Sequence, residues 1–243
     1  MLCFRHFPVI DSTSLEARRM VERGELEGGA HLVVADTQTG GVGRLGRKWS
    51  SPRGGLWCTL VVGAPSGGFS PALAIGAGLA CLEAIEEAAG VDAGRLGLSL
   101  RWPNDVLCGG RKVAGVLTET VTRAGKSLAL IGVGINANCS LHELPASLQE
   151  RATTLRRELG REVGLVALRD GLARRLGDAA SANEHDIVIN AGARLASVGE
   201  SRAVRLPSGE TVEGVVRGLG EGGALLLELG DGTVRSMTTG EVG

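Results

Sequence analysis

The stretch GGVGRLGRKW, residues 40–49, follows the apolar run HLVVA and sets Arg44, Arg47 and Lys48 among four glycines. No aspartate or glutamate lies between Asp36 and Glu83, so these cations have no acidic neighbour in sequence and suit an external anion. A guanidinium fork matches carboxylate or phosphate geometry, and glycine lets a backbone approach a ligand closely. Further on, Asp105 in RWPNDV and Lys112 in GRKVAG supply one charge of each sign. No Ser-His-Asp or Cys-His arrangement is evident, and His6, His31, His142 and His185 are scattered.

Gly41, Gly43 and Gly46 spell G-x-G-x-x-G, but the context rejects a dinucleotide site. Such a loop runs straight into a helix and needs an acidic residue about twenty positions on; here RKWSSPRGGLW breaks any helix. A Walker A loop fails because Arg47 and Lys48 follow Gly46, and the kinase partners H-R-D and D-F-G are missing. Two readings remain, a mobile loop that closes over an anion and a solvated surface turn. A Gly-Arg nucleic-acid segment is disfavoured, since aromatics make up 2% of the chain and the formal net charge is −1.

The elements around these residues follow from pattern. SLEARRMVE (14–22) follows the N-cap types Asp11, Ser12 and Thr13 and predicts a helix. HLVVAD and LWCTLVVG predict paired strands, and PALAIGAGLACLEAIEEAAG (71–90) a helix opened by proline and closed by Gly90. The uncharged stretch 54–82 is interrupted by PSGGFSP, leaving runs too short to span a bilayer. LSLRWP, DVLCGGRKVAGVLTETV and SLALIGVGINAN predict strands joined by short turns, hence an antiparallel or mixed sheet. Leu165, Leu168, Leu172 and Leu176 share a helical face. From about residue 193 the texture changes to RAVRL, TVEGVVRGL, ALLLEL and TVRSM between glycine-rich turns, the signature of a small β-barrel or sandwich. Its five arginines against seven acidic residues over 190–243 argue against a nucleic-acid surface. The 243 residues allow one substantial core and a small appended domain. Five cysteines without a C-x-x-C pair indicate neither a disulfide framework nor a zinc cage and suit a reducing cytoplasm, with no export signal at the N-terminus.

Five motifs in order, DSTS (11–14), TQTGGVGRLGRKW, RWPNDV (101–106), GRKVAGVLTE (110–119) and GVGINAN (132–138), resemble the catalytic domain of bacterial biotin–protein ligases. The terminal GALLLELGDGTVRSMTTGEV looks like that family's C-terminal domain. The resemblance implies an α+β fold: a class II synthetase-like mixed sheet with helices over 1–192, and an SH3-like β-barrel over 193–243. It implies formation of biotinyl-5′-AMP from biotin and ATP with Mg²⁺, then transfer of biotin to a lysine of a biotin carboxyl carrier protein, an acetyl-CoA carboxylase subunit. A cytoplasmic monomer or homodimer without DNA or membrane partners is expected. A lipoate or octanoate ligase on the same scaffold, or a catalytically silent regulatory protein, is the alternative.

By the same resemblance Lys112 bridges the biotin carboxylate and the α-phosphate, while Ala114 and Gly115 let the ligand approach the backbone. Arg44 and Arg47 clamp the adenylate. Asp105 positions Mg²⁺ or the incoming lysine, or else caps a turn after Pro103. Ser12, Thr13, Ser14, Gln38 and Gly43 belong to the biotin pocket, although Ser12 and Thr13 are equally good helix caps. Trp49 covers the nucleotide or packs in the core; Asn136 contacts adenine or ends a strand; Trp102 is core. Val42 and Leu45 stand where the family often has arginine, and Ser14 where it often has asparagine. Because DSTS sits at residue 11, no reading helix is expected ahead of it, and specific operator binding is not expected. A gel-shift titration checks this: retardation should be weak, independent of DNA sequence and lost in moderate salt, whereas a salt-resistant, sequence-dependent shift contradicts it.

Overall fold

The computed structural model describes residues 2–26, 29–65, 68–90 and 93–243. The turn expected in PSGGFSP includes residues 66 and 67, which lie outside the described residues. The larger sheet contains β1 (Leu2–Ile10), β2 (Ala30–Val42), β3 (Lys48–Ser51), β4 (Leu56–Gly63), β5 (Leu98–Arg101), β6 (Asp105–Cys108), β7 (Arg111–Arg123) and β8 (Lys126–Ile135). Its order is β1-β2-β4-β8-β7-β6-β5, with β3 folded back on β2. Among the described residues only β1–β2 is parallel, so the sheet is mixed, one of the two arrangements the strand pattern allows.

Alternation sets the layers. Val33, Val61 and Leu130 point to one face and pack on Ala17, Met20 and Val21 of α1 (Thr13–Arg23). Their neighbours Leu32, Leu60 and Ile131 point to the other face, toward α2 (Leu73–Ala89) and α6 (Leu165–Ser181). With a helix layer on each side, β4 is buried at seven successive positions and reads as a continuous apolar run. Gly90 ends α2 in the left-handed region (φ 62°), its N–H bonding the carbonyls of Glu86 and Glu87. Short helices α3 (Ala93–Leu96), α4 (Ala146–Gln149) and α5 (Leu155–Leu159) bridge between strands and helices. Helix α7 (Glu184–Gly192) is absent from the sequence reading. Its Ile-Val-Ile run is β-prone, but the Asn183 side chain accepts from the Asp186 N–H (2.9 Å), and Glu184 and Asp186 occupy the first turn.

The second sheet, β12-β11-β10-β9-β13, consists of β9 (Ser201–Arg205), β10 (Thr211–Leu219), β11 (Leu225–Glu228), β12 (Val234–Met237) and β13 (Glu241–Val242), all antiparallel. Among the described residues no pairing joins β12 to β13. Among the same residues no helix is long and apolar enough to cross a membrane.

Trp102, expected as core, belongs to the core of this second sheet. It lies among Val204, Val212, Val216, Leu225, Leu227 and Met237, and its Nε1–H donates to the Gly223 carbonyl at 2.9 Å. The preceding residue but one, Leu100, bonds Arg194 and Ala196 through both backbone groups. The RWPNDV motif is thus bolted at its start to the C-terminal sheet. Trp102→Ala should lower the unfolding free energy by about 3–5 kcal/mol, through lost packing and an unpaired carbonyl. Urea unfolding followed by circular dichroism measures it.

Candidate functional site

The charged centre lies where β6 meets β7. Lys112 Nζ is 2.5 Å from Asp105 Oδ1, and Arg101 Nη2 donates to Asp105 Oδ2 at 2.7 Å. A bulge in the β6–β7 ladder re-aims Lys112: Val106 pairs with Ala114 but Leu107 with Lys112, leaving Val113 as the extra residue. Backbone bonds on the other side hold Lys112, from its N–H to Arg151 O (2.8 Å) and from Thr153 N–H to its carbonyl (2.9 Å). The lysine side chain lies along bare backbone at Gly115, where a Cβ would come within 3.1 Å of Lys112 Cε and 3.0 Å of Trp49 Cζ3.

Trp49 roofs this floor. Lys112 Nζ sits 5.0 Å from the indole centroid, a cation–π contact, and Trp57 meets the ring edge-on at 6.5 Å. A Cβ at Gly134, which pairs with Gly115, would run into the indole nitrogen. That nitrogen is buried and makes no hydrogen bond.

Beside the charged centre lies a row of buried polar groups. Thr13 N–H and Oγ1–H both reach Gln38 Oε1, at 2.8 and 3.2 Å. Thr59 Oγ1 donates to Thr13 Oγ1 (2.9 Å), and Ser14 Oγ lies 3.1 Å from Thr59 Oγ1. Since a hydroxyl has one proton and Thr59 spends it on Thr13, Ser14 must be the donor to Thr59. Gln38 Nε2 donates onward to Ser51 Oγ at 2.6 Å. Ser14 Oγ rests on the bare face of Gly132, where a Cβ would be 2.6 Å away. Ser12 occupies the cap position of α1 but its side chain makes no capping bond, so its hydroxyl is not spent on the helix. Asp11 sets the entry: Arg19 forks onto its carboxylate at 2.7 and 2.8 Å and holds its pKa down at about 2, while its carbonyl accepts the Gly40 N–H.

The glycine and arginine segment, read from the sequence as a mobile loop or a surface turn, folds as a hairpin. β2 runs on through Val42, a 3₁₀ turn covers Arg44–Gly46, and β3 returns against β2. Leu45 stands at φ 56°, and the Gly43 N–H bonds Arg47 O at 2.7 Å. The cations find oxygens within the chain: Arg44 Nη1 donates to Gly240 O (3.2 Å) and Asn104 Oδ1 (3.4 Å), and Arg47 pairs with Glu241. The edge of the C-terminal sheet thus supplies oxygens to both arginines.

Asn136 is buried, its Nδ2 donating to Thr153 O at 3.1 Å and its carbonyl accepting from Leu155 N–H. It stands behind the Lys112 strand, joined to it through Thr153. With Lys112 and Arg101 in place each oxygen of Asp105 faces a cation, and none is free for magnesium. Among the described residues no three His, Cys, Asp or Glu side chains gather. Burial also raises four thiols, Cys58 to about 12, Cys108 and Cys139 to about 11, and Cys81 above these. They are poor nucleophiles at neutral pH.

Comparison with known proteins gives the family. The biotin/lipoate A/B protein ligase family matches residues 7–136, and the biotin protein ligase C terminal domain matches residues 202–242. The chain belongs to the biotin/lipoate A/B protein ligase family. A biotin–[acetyl-CoA-carboxylase] ligase of Paracoccus denitrificans is 33% identical over 225 residues, 89% of this chain and 90% of that protein. The bifunctional ligase/repressor of Bacillus subtilis is 36% identical over 159 residues, which take in 64% of this chain but only 46% of that protein. A biotin protein ligase from Aquifex aeolicus, solved in complex with biotin and ATP, superposes with a TM-score of 0.81 at 28% identity, covering 99% of this chain and 97% of that one.

Arg101, Thr59 and Ser51 are absent from the sequence reading. Thr59 left a signal, as the one hydroxyl in the apolar strand LWCTLVVG; the other two are ordinary in their contexts. Thr59→Val keeps the shape but leaves Ser14 and Thr13 without a shared partner in a buried setting. The variant should unfold about 1–3 kcal/mol more easily, read from its urea midpoint at unchanged m-value.

Proposed function

We propose that this member of the family forms biotinyl-5′-AMP from biotin and ATP and then transfers biotin to a lysine of a carrier domain. The observation that carries the reading is Lys112: a cation bridged to Asp105 and laid on a glycine floor, beside a buried row of amide and hydroxyl groups. Adenylation makes a carboxylate oxygen attack the α-phosphorus while pyrophosphate departs. Two anions must meet, so the site's contribution is positive charge and placement rather than a side-chain nucleophile. Lys112 Nζ needs only to turn from one carboxylate to another to neutralise biotin and the phosphate. The indole of Trp49 moves with it or closes over the nucleotide.

In this reading Ser12, Thr13, Ser14, Gln38, Gly43 and Gly115 line the biotin pocket, where a neutral ureido ring needs paired donors and acceptors. Arg44 and Arg47 exchange Gly240 and Glu241 for the adenylate phosphate, and the atoms of Asn136 not bonded to Thr153 face adenine. Magnesium arrives with ATP, held by the phosphates and water. The names of the Paracoccus protein and of a Mycobacterium tuberculosis relative, 31% identical over 84% of this chain, support a carrier domain of acetyl-CoA carboxylase as the partner. The same reading divides the chain into a synthetase-like unit over 1–192 and an SH3-like unit over 193–243, acting in the cytoplasm.

Lys112→Ala should lower biotin-dependent pyrophosphate exchange by about a hundredfold or more while leaving the unfolding midpoint little changed, because Arg101 still neutralises Asp105. Near-normal exchange by that variant would falsify the assignment. Running the wild-type assay with biotin, lipoate and octanoate distinguishes the acyl ligases, and no turnover with any of them marks a silent binding protein.

A further inference from the structure

We propose that Arg101 is a positioning residue for the second half of the reaction, holding Asp105 ready for the incoming lysine after Lys112 has turned to the substrate anions. The inference rests on the biotinylation reading and adds a residue to it. Arg101 ends β5 and pairs across the turn with Asp105, the first residue of β6. The carboxylate is 13% exposed, and its oxygens are divided: Oδ2 to Arg101, Oδ1 to Lys112. The guanidinium sits on a backbone pinned from both sides, by the two bonds of Leu100 to Arg194 and Ala196, and by Trp102 in the C-terminal core.

This division has a consequence once Lys112 is engaged elsewhere. A largely buried carboxylate stripped of its only cation would be costly and free to swing. Asp105 has two cations, and the one that stays is bonded to the oxygen that the lysine does not use. Arg101 therefore keeps the plane of the carboxylate fixed, with Oδ1 vacant where an ammonium has just left. The side chain that next approaches is another ammonium on the same four-carbon stem, that of the carrier lysine. On its arrival the ammonium proton passes to Oδ1 and on to water. The freed amine attacks the biotin carbonyl carbon, the C–O bond breaks with its electron pair leaving on AMP, and the nitrogen gives up its second proton to the departing phosphate or to water, leaving a neutral amide. Arg101 touches none of these reacting atoms and acts through Asp105.

The test separates the half-reactions. Arg101→Met and Arg101→Lys are compared with wild type in biotin-dependent pyrophosphate exchange, and in single-turnover transfer from preformed biotinyl-AMP to a purified carrier domain. Arg101→Met should slow transfer about tenfold more than it slows exchange, the size expected for one charge-assisted hydrogen bond. Arg101→Lys should bring transfer back to within about threefold of wild type, since a cation at Oδ2 suffices. Equal losses in both assays, no loss in either, or a lysine variant as slow as the methionine one overturns the proposal. A wild-type protein that turns over with biotin in both assays keeps the parent reading intact whichever way Arg101 falls. One that turns over in neither removes the parent reading and this inference together.

Discussion

A lysine and an aspartate 2.5 Å apart, both mostly withdrawn from water, are the constraint around which this chain is arranged. Such a pair is stabilised only if the desolvation of both charges is offset by good geometry and further partners. Those partners come from four directions. The bulge at Val113 turns the lysine inward, the 151–153 segment bonds its backbone, the indole of Trp49 covers its stem, and Arg101 completes the aspartate. Removing the side chains of Gly115 and Gly134 makes room for the indole on the sheet.

The two sheets are mechanically one body at this point. Trp102 runs from the motif that carries Asp105 into the core of the second sheet, and the hairpin that carries Arg44 and Arg47 leans on Gly240 and Glu241. The small C-terminal unit thus touches the site twice, once through packing and once through charge. Loss of either contact would be felt at Lys112 without altering any residue that meets a ligand.

Much of this was legible in the sequence where the signal is local. The apolar strand LWCTLVVG, the helix ended by Gly90 and the leucine face of α6 all stand where periodicity puts them. Lys112 and Asp105 could be read from their motifs, but that they touch could not, because a β-ladder brings them together. Arg101 escaped notice for the same reason. What the cations of 40–49 meet is not legible in the sequence, because those oxygens lie some two hundred residues away, at Gly240 and Glu241. β1 left no pattern because only an edge strand's inner side is packed, and its residues mix Phe, Arg, His and Pro. α7 was hidden by β-branched residues whose preference the Asn183 cap and tertiary packing override.

The row from Ser14 through Thr59 and Thr13 to Gln38 and Ser51 has a sense of direction, like a line of one-way streets. No member can reverse alone, since each proton is committed to the next oxygen. The Thr13 backbone N–H cannot turn, so Gln38 Oε1 is fixed as an acceptor and the whole line offers a neighbouring group one polarity only. A change at the far end of the line, at Ser51, is then felt at Ser14 through every proton between them.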